Sequence, residues 1–309
     1  MLHTMESATT ARNTPIIKPR KKLFKQGISF FDVVIHTILI FVVLACLLPF
    51  LYVLIVSFTD PEVYVPMEFQ VIPKKVSFSV YWSILNTDTF LRTLGNTVYV
   101  TVIGTTLSIF TTFTFAYGLT KKDLPFHKVY IVVVLFGLLF NPGMIPEYMN
   151  IRSLGLLNNH WSLILSGLIT SWNVVIARNF IQGIPIELEE AAKIDGCSYF
   201  SIFFRIILPL STAALATLTL FIAVSNWNQY TKPLLYLNDY KLHTLQVYLK
   251  SLLVDSDTMG MNAVQTDRVL PSESIRMATV VLAMFPIMCV YPFVQRYFVK
   301  GVMIGSVKG

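Results

Sequence analysis

Residues 184 to 209 read Ile-Pro-Ile-Glu-Leu-Glu-Glu-Ala-Ala-Lys-Ile-Asp-Gly-Cys-Ser-Tyr-Phe-Ser-Ile-Phe-Phe-Arg-Ile-Ile-Leu-Pro. The stretch lies between two strongly apolar segments and carries Glu187, Glu189, Glu190 and Asp195 in a chain poor in carboxylates. Pro185 suits a first helical turn, where its missing N–H costs nothing. The glutamates that follow favour the positive end of the helix dipole, and Gly196 ends the run where a left-handed residue is cheap. The spacing predicts a short helix from about Pro185 to Asp195, a turn, and a second helix from Tyr199 to Pro209. By residue type, Ala191 and Ala192 let another surface approach closely, Glu190 offers an acceptor to a basic partner, and Gly196 permits a sharp bend. On the same evidence, Glu187, Glu189 and Glu190 also fit a plain solvated helix face.

The spacing carries more than the composition. Glu190-Ala191-Ala192 is followed by Asp195-Gly196, then by Ile206 and by Leu208-Pro209. This pattern resembles the EAA loop of permease subunits of ATP-binding-cassette importers, with each fixed position present. The resemblance implies that loop 184–209 holds a coupling helix docked in a cleft of an ATPase subunit. Glu190, Ala191, Ala192, Asp195, Gly196, Ile206, Leu208 and Pro209 are the coupling residues it implies. One departure is Cys197, where the family usually has alanine.

The rest of the composition agrees with a membrane setting. Of 309 residues, 54% are hydrophobic and 13% charged, against about 25% charged in soluble domains, and the mean hydropathy is +0.64. The formal charge of +7 forms no basic stripe interleaved with aromatics, so nucleic acid is not the partner it implies. Cys46, Cys197 and Cys289 are too far apart in sequence for a zinc motif or a disulfide framework. Cys46 follows Val43-Leu44-Ala45, a faint likeness to a lipoprotein processing site, but it sits mid-span.

Apolar runs near 33–56, 94–119, 129–145, 161–181, 207–227 and 277–298 approach the roughly 20 residues that a bilayer crossing needs. They predict an all-α integral membrane fold of six transmembrane helices, with an N-terminal segment 1–31, a permease domain 32–299 and a tail 300–309. The first run is too long for a cleaved signal peptide and has further spans behind it. Lys121, Lys122 and Lys128 in one connection, Arg178, Lys193 and Arg205 in another, and Arg296, Lys300 and Lys308 at the tail all fall on one side. The positive-inside rule makes that side, with both termini and loop 184–209, cytoplasmic.

Within the spans, Thr97, Thr101, Thr105, Thr106, Ser108, Thr111, Thr112 and Thr114 fit close helix packing. Asn141-Pro142-Gly143-Met144-Ile145-Pro146 breaks the third span, either as a kink toward the interior or as its outer end. Asn226, Trp227, Asn228 and Tyr230, with Trp172 and Asn173, are candidates for a sugar path, since amides bond hydroxyls and aromatic faces stack on sugar rings. Trp227 and Tyr230 fit interface anchors equally well. Leu245, Leu249, Leu252 and Leu253 give the long outer loop a helix-like spacing.

Beyond the loop, residues 32–309 resemble the second permease of maltose-type carbohydrate importers, in the branch of Gram-positive oligosaccharide and polysaccharide-fragment permeases. Ser153-Leu154-Gly155-Leu156-Leu157-Asn158, the Trp227-Asn228 pair and Lys300-Gly301-Val302-Met303-Ile304-Gly305 carry this finer match. It implies a type I importer in a bacterial plasma membrane, a homologous second permease, two ATPase subunits, an extracellular solute-binding protein and an oligosaccharide substrate. It also implies that Gly301, Val302, Met303, Ile304 and Gly305 enter the joint between the ATPase subunits, which an extended ten-residue tail reaches with its span of about 30 Å. A non-sugar solute is the alternative. A secondary transporter would ordinarily carry intramembrane charges as coupling sites, and these spans have almost none, with His36 near the inner end of the first. An enzyme is not expected, because His-Glu-x-x-His, Gly-x-Ser-x-Gly and the phosphate-loop motif are all absent. No cofactor or metal is implied, and ATP hydrolysis must come from a partner.

Overall fold

A computed structural model describes residues 30–61, 63–64, 72, 75–259 and 273–306. Among them the secondary structure is helical, apart from an isolated antiparallel bridge between Thr59 and Val76. Most of the basic segment 1–31 lies outside the described residues. Residues 1–49 and 50–309 form two compact units, divided at Pro49 inside helix α1 (Phe30–Ser57). In the first unit the α1 side chains from Phe30 to Leu48 are exposed, as lipid contact requires.

The second unit is built on α3 (Asp88–Gly118). Its buried positions include Phe90, Thr93, Thr97, Val100, Gly104, Ser108, Thr112 and Ala116, a spacing of three or four residues that draws one stripe along the helix. Most of these side chains are small or hydroxylated, so neighbouring backbones come close. Several hydroxyls are used twice. Thr97 Oγ1 donates to Thr93 O at 2.9 Å and accepts from Leu245 N at 2.8 Å, joining α3 to α13 (Leu245–Met259). Thr111 Oγ1 reaches Leu168 O at 3.3 Å.

Around α3 stand α2 (Ser79–Leu85), α4 (His127–Leu139), α5 (Met144–Ser153), α6 (Trp161–Ser166), α7 (Ser171–Gln182), α8 (Ile186–Ile194), α9 (Tyr199–Ile202), α10 (Leu208–Leu210), α11 (Thr212–Trp227), α12 (Thr231–Tyr236) and α14 (Glu273–Ser306). One buried cluster joins Phe113 and Ala116 of α3 to Ala177 and Ile181 of α7, Ala192 of α8, Ile202 and Leu218. A second joins Val80, Phe90, Trp227, Leu245, Ala278 and Ala283.

The helices are more broken than the apolar runs suggest. Among the described residues three helices are long and apolar enough to cross a membrane, α1, α3 and the 273–290 part of α14. A fourth results if residues 199–210 and α11, bent by 81° at Ser211, count as one span. The run 129–145 is cut at Leu139: Asn141 Oδ1 accepts from Gly143 N at 2.9 Å, and Gly143 has φ +84°, so the proline motif ends α4 and starts α5. The run 161–181 is cut between Ser166 and Ser171. Thr111 and Lys232 Nζ, at 3.3 Å from Ser166 O, take up carbonyls freed there, as backbone at membrane depth requires. The tail expected to be extended continues α14 as helix through Ser306, so residues 300–306 advance only about 10 Å.

At Gly104 the backbone of α3 lies close against Asn226 of α11. A Cβ there would stand 3.1 Å from Asn226 Nδ2. Gly104→Leu should cost about 1–3 kcal/mol by overpacking, read as a lower apparent Tm of the solubilised protein. Gly95→Ala, on the same helix with nothing within 4 Å of the new carbon, should leave Tm unchanged or slightly raised.

Candidate functional site

Helix α8 begins after Pro185, which serves as its N-cap, and ends at Asp195. Its C-terminus is closed by two backbone bonds, Gly196 N to Lys193 O at 3.0 Å and Cys197 N to Ala192 O at 2.9 Å. Gly196 has φ +80°, so this is a Schellman closure around a left-handed glycine. Ser198 then caps α9, its Oγ accepting from Ser201 N at 3.3 Å. Pro209 has no N–H to offer the Arg205 carbonyl, and the helix widens into a π turn over Phe203–Ile207 just before it.

The two faces of α8 differ sharply. Ile186, Glu187, Glu190, Ala191, Ile194 and Asp195 are exposed, with Ile194 at 86%. Glu189 and Ala192 face inward, both less than a tenth exposed. Ala192 packs in the core instead of receiving another surface, a correction to the pairing of Ala191 with Ala192. Ile206 and Leu208 are likewise half-buried against that core, while Pro209 is exposed.

Glu189 is the residue that sequence reasoning did not separate from its neighbours. Its carboxylate pairs with Lys121, at the end of α3, and with Lys193 Nζ at 3.1 Å. The Lys121 ammonium also lies 4.1 Å from the centre of the Tyr117 ring, and the Lys193 ammonium 4.9 Å from that of Tyr199, both within cation–π range. Nearby, Arg178 Nε and His127 Nε2 both reach the Leu119 carbonyl, at 3.3 Å and 3.1 Å. The α3–α4 connection, α7 and α8 are thereby tied into one unit. Burial pushes the Glu189 carboxyl up, but Lys121 and Lys193 outweigh it and hold its pKa below the ordinary 4.5. Burial dominates at Lys121 and lowers its pKa despite Glu189. The i,i+4 spacing to Lys193 was visible in the sequence; Lys121, 68 residues away, was not.

At the other end of α11, the amide and aromatic cluster divides. Trp227 is buried, and its Nε1 donates to Ala283 O at 3.2 Å, so it clamps α11 to α14. Asn226 donates to Thr105 Oγ1 at 3.3 Å across the Gly104 contact. Asn228 and Tyr230 line a cavity of about 330 Å³. Trp227 instead borders an apolar groove of about 660 Å³ along α3, α11 and α14, into which Thr101, Thr105 and Thr106 open. Trp172 and Asn173, on α7, line neither. Among the described residues no three His, Cys, Asp or Glu side chains gather as metal ligands.

Long apolar helices joined by a close-packed hydroxylated stripe define a multi-pass membrane protein. The chain belongs to the family of binding-protein-dependent transport system inner membrane components, whose match covers residues 19–304. It is therefore a permease component, a transport subunit and not a catalytic enzyme. The polygalacturonan/rhamnogalacturonan transport system permease protein YtcP of Bacillus subtilis (strain 168) is 43% identical over 90% of this chain and 98% of its own. Protein LplC of the same organism is 43% identical over 85% and 90%. A chain of a bacterial ABC transporter involved in the import of the acidic polysaccharide alginate superposes with a TM-score of 0.80 at 30% identity, over 89% of this chain and 99% of that one.

Since the folded Glu189 pKa lies below 4.5, its pairing stabilises α8 above that pH and is lost as pH falls through the depressed value. Lys193, whose pKa is raised, keeps its part until pH climbs past 10.5. With Cys46, Cys197 and Cys289 replaced by serine, a spin label on the exposed Ile194→Cys should show the restricted motion of an ordered helix surface at neutral pH and gain mobility on acidification below the glutamate range. Glu189→Gln should show the mobile spectrum already at pH 7. An unchanged spectrum in that variant would remove Glu189 as the anchor of α8.

Proposed function

We propose that this chain is one of two homologous permease subunits of an ATP-driven importer and forms, with the other, the path for an oligosaccharide. An extracellular solute-binding protein delivers the solute, and two ATPase subunits supply the energy. The relatives named for polysaccharide transport support a carbohydrate solute. In this reading the chain crosses a bacterial plasma membrane six times: α1, α3, α4, the broken pair α6 and α7, α11 and α14. Residues 1–31 and 300–309 flank the permease domain on the cytoplasmic side, in line with the lysines and arginines grouped there.

The observation that carries the coupling role is the asymmetry of α8. Its inner face is fixed through Glu189 and Ala192, while Ile186, Glu190 and Ile194, at a spacing of four, stand exposed as an apolar stripe with an acidic centre. Such a face suits a cleft in a partner that supplies apolar contacts and a basic side chain. Docking there passes the movement of the ATPase to the membrane helices through the Lys121–Glu189 link. The last turns of α14, with Gly301, Val302, Met303, Ile304 and Gly305, reach the same partner as a helical projection.

Glu190→Lys should leave the protein in the membrane, since exposed substitutions seldom cost more than about 0.5 kcal/mol, but abolish transport and detach or uncouple the ATPase. Normal uptake by that variant would overturn the coupling reading. Deleting Val302 to Gly309 should lower transport-coupled ATP hydrolysis while the binding protein still docks. Wild-type turnover in the truncation would leave the tail without a role.

A further inference from the structure

The end of α11 remote from α8 opens into the cavity of about 330 Å³ between α11, α13 and α14, a size that suits a small ligand group. Its floor is apolar, from Leu249 and Ile287, and Asn228, Tyr230, Gln246 and Lys250 line it. The walls are held by the core: the Trp227–Ala283 bond spans α11 and α14, and Leu245 and Leu249 of α13 pack into the same buried cluster.

The polar side chains, by contrast, are open to a ligand. Asn228 gives its Nδ2 to Val224 O at 3.0 Å, which leaves its carbonyl oxygen as an acceptor. Among the described residues neither the Gln246 amide nor the exposed Lys250 ammonium has a hydrogen-bonded or ionic partner. Among the described residues no carboxylate lines the cavity. Two amides and a phenol suit sugar hydroxyls, but neutral hydroxyls do not need an ammonium. A lone cation in a cavity without acids recognises an anion, and a charge-assisted bond to a carboxylate is the strong form of that contact.

We propose that this cavity is a subsite for a uronate residue of an anionic oligosaccharide, with Lys250 meeting the sugar carboxylate, Asn228 and Gln246 its hydroxyls, and Tyr230 its ring. The proposal rests on the oligosaccharide-importer reading above and gives it a substrate class. Lys250 is then a specificity-determining residue on the extracellular approach to the path, contributed by this permease, in a cavity that meets the apolar groove along α3 at Ile287.

The test uses the complete transporter in proteoliposomes with its solute-binding protein, and follows uptake of trigalacturonate and of neutral maltotriose. Lys250→Gln should lower trigalacturonate uptake about tenfold, the loss of one charged hydrogen bond. Lys250→Glu should lower it further, and Lys250→Arg should keep most of it, with capture of the binding protein unchanged in all three. Wild-type uptake by both the Gln and Glu variants overturns the subsite. So does an Arg variant as poor as Glu, or loss of binding-protein capture, since either assigns Lys250 to docking or packing. Wild-type uptake of maltotriose but not of trigalacturonate overturns the anionic class and leaves the importer reading standing. Uptake of neither defeats the oligosaccharide reading itself.

Discussion

Close approach along α3 is the constraint from which the rest of the second unit follows. In lipid there is no hydrophobic gain from pressing helices together, so association depends on packing contact and shared hydrogen bonds. The stripe from Phe90 to Ala116 supplies both, with threonine, serine, glycine and alanine at most of its buried positions. Gly104 lets Asn226 of α11 come within bonding range of Thr105. Thr97 accepts from the start of α13, and Thr111 donates to a carbonyl at the break between α6 and α7. Short and broken elements are thus fastened to one long, continuous helix.

The charged chemistry collects at the ends of this scaffold. At one end Lys121, Glu189 and Lys193 form a compact network that fixes one face of α8 and leaves the other exposed. At the other, Lys232 pairs with Glu147 and donates to both oxygens of Ser166, at 3.3 Å and 3.2 Å. That contact draws α5, α6 and α12 together where neither α5 nor α6 is long enough to hold its own place. Half-buried ion pairs add little net stability, and their value here is in geometry: each fixes a short element at an angle that apolar contacts leave free.

Much of this was legible in residue order. The helix at 186–194, its glycine closure and the restart at Tyr199 follow from capping chemistry, and the packing role of the α3 hydroxyls follows from their density. The inward turn of Glu189 was not legible, because three glutamates in four positions look alike until a distant Lys121 selects one. Trp227 misled for a related reason: an indole beside amides suits a sugar, yet its N–H found the Ala283 carbonyl of a helix 56 residues away. The break at the end of α4 was legible in the prolines and glycine of 141–146, whereas the run 161–181 reads as unbroken because hydropathy averages over Gly167 and the backbone does not.

The right-angled meeting of residues 199–210 and α11 at Ser211 has the form of a bell crank. Its short arm, attached to α8 through the turn at Gly196 and Cys197, is about 18 Å long, and its long arm, α11, is about 24 Å. A rigid swing of about 10° about that corner carries the tip of the short arm by about 3 Å and Trp227, at the far tip, by about 4 Å along a nearly perpendicular direction. On the coupling reading proposed above, a push across the axis of the short arm becomes a stroke of slightly greater amplitude across the axis of α11, with no helix having to stretch or unwind.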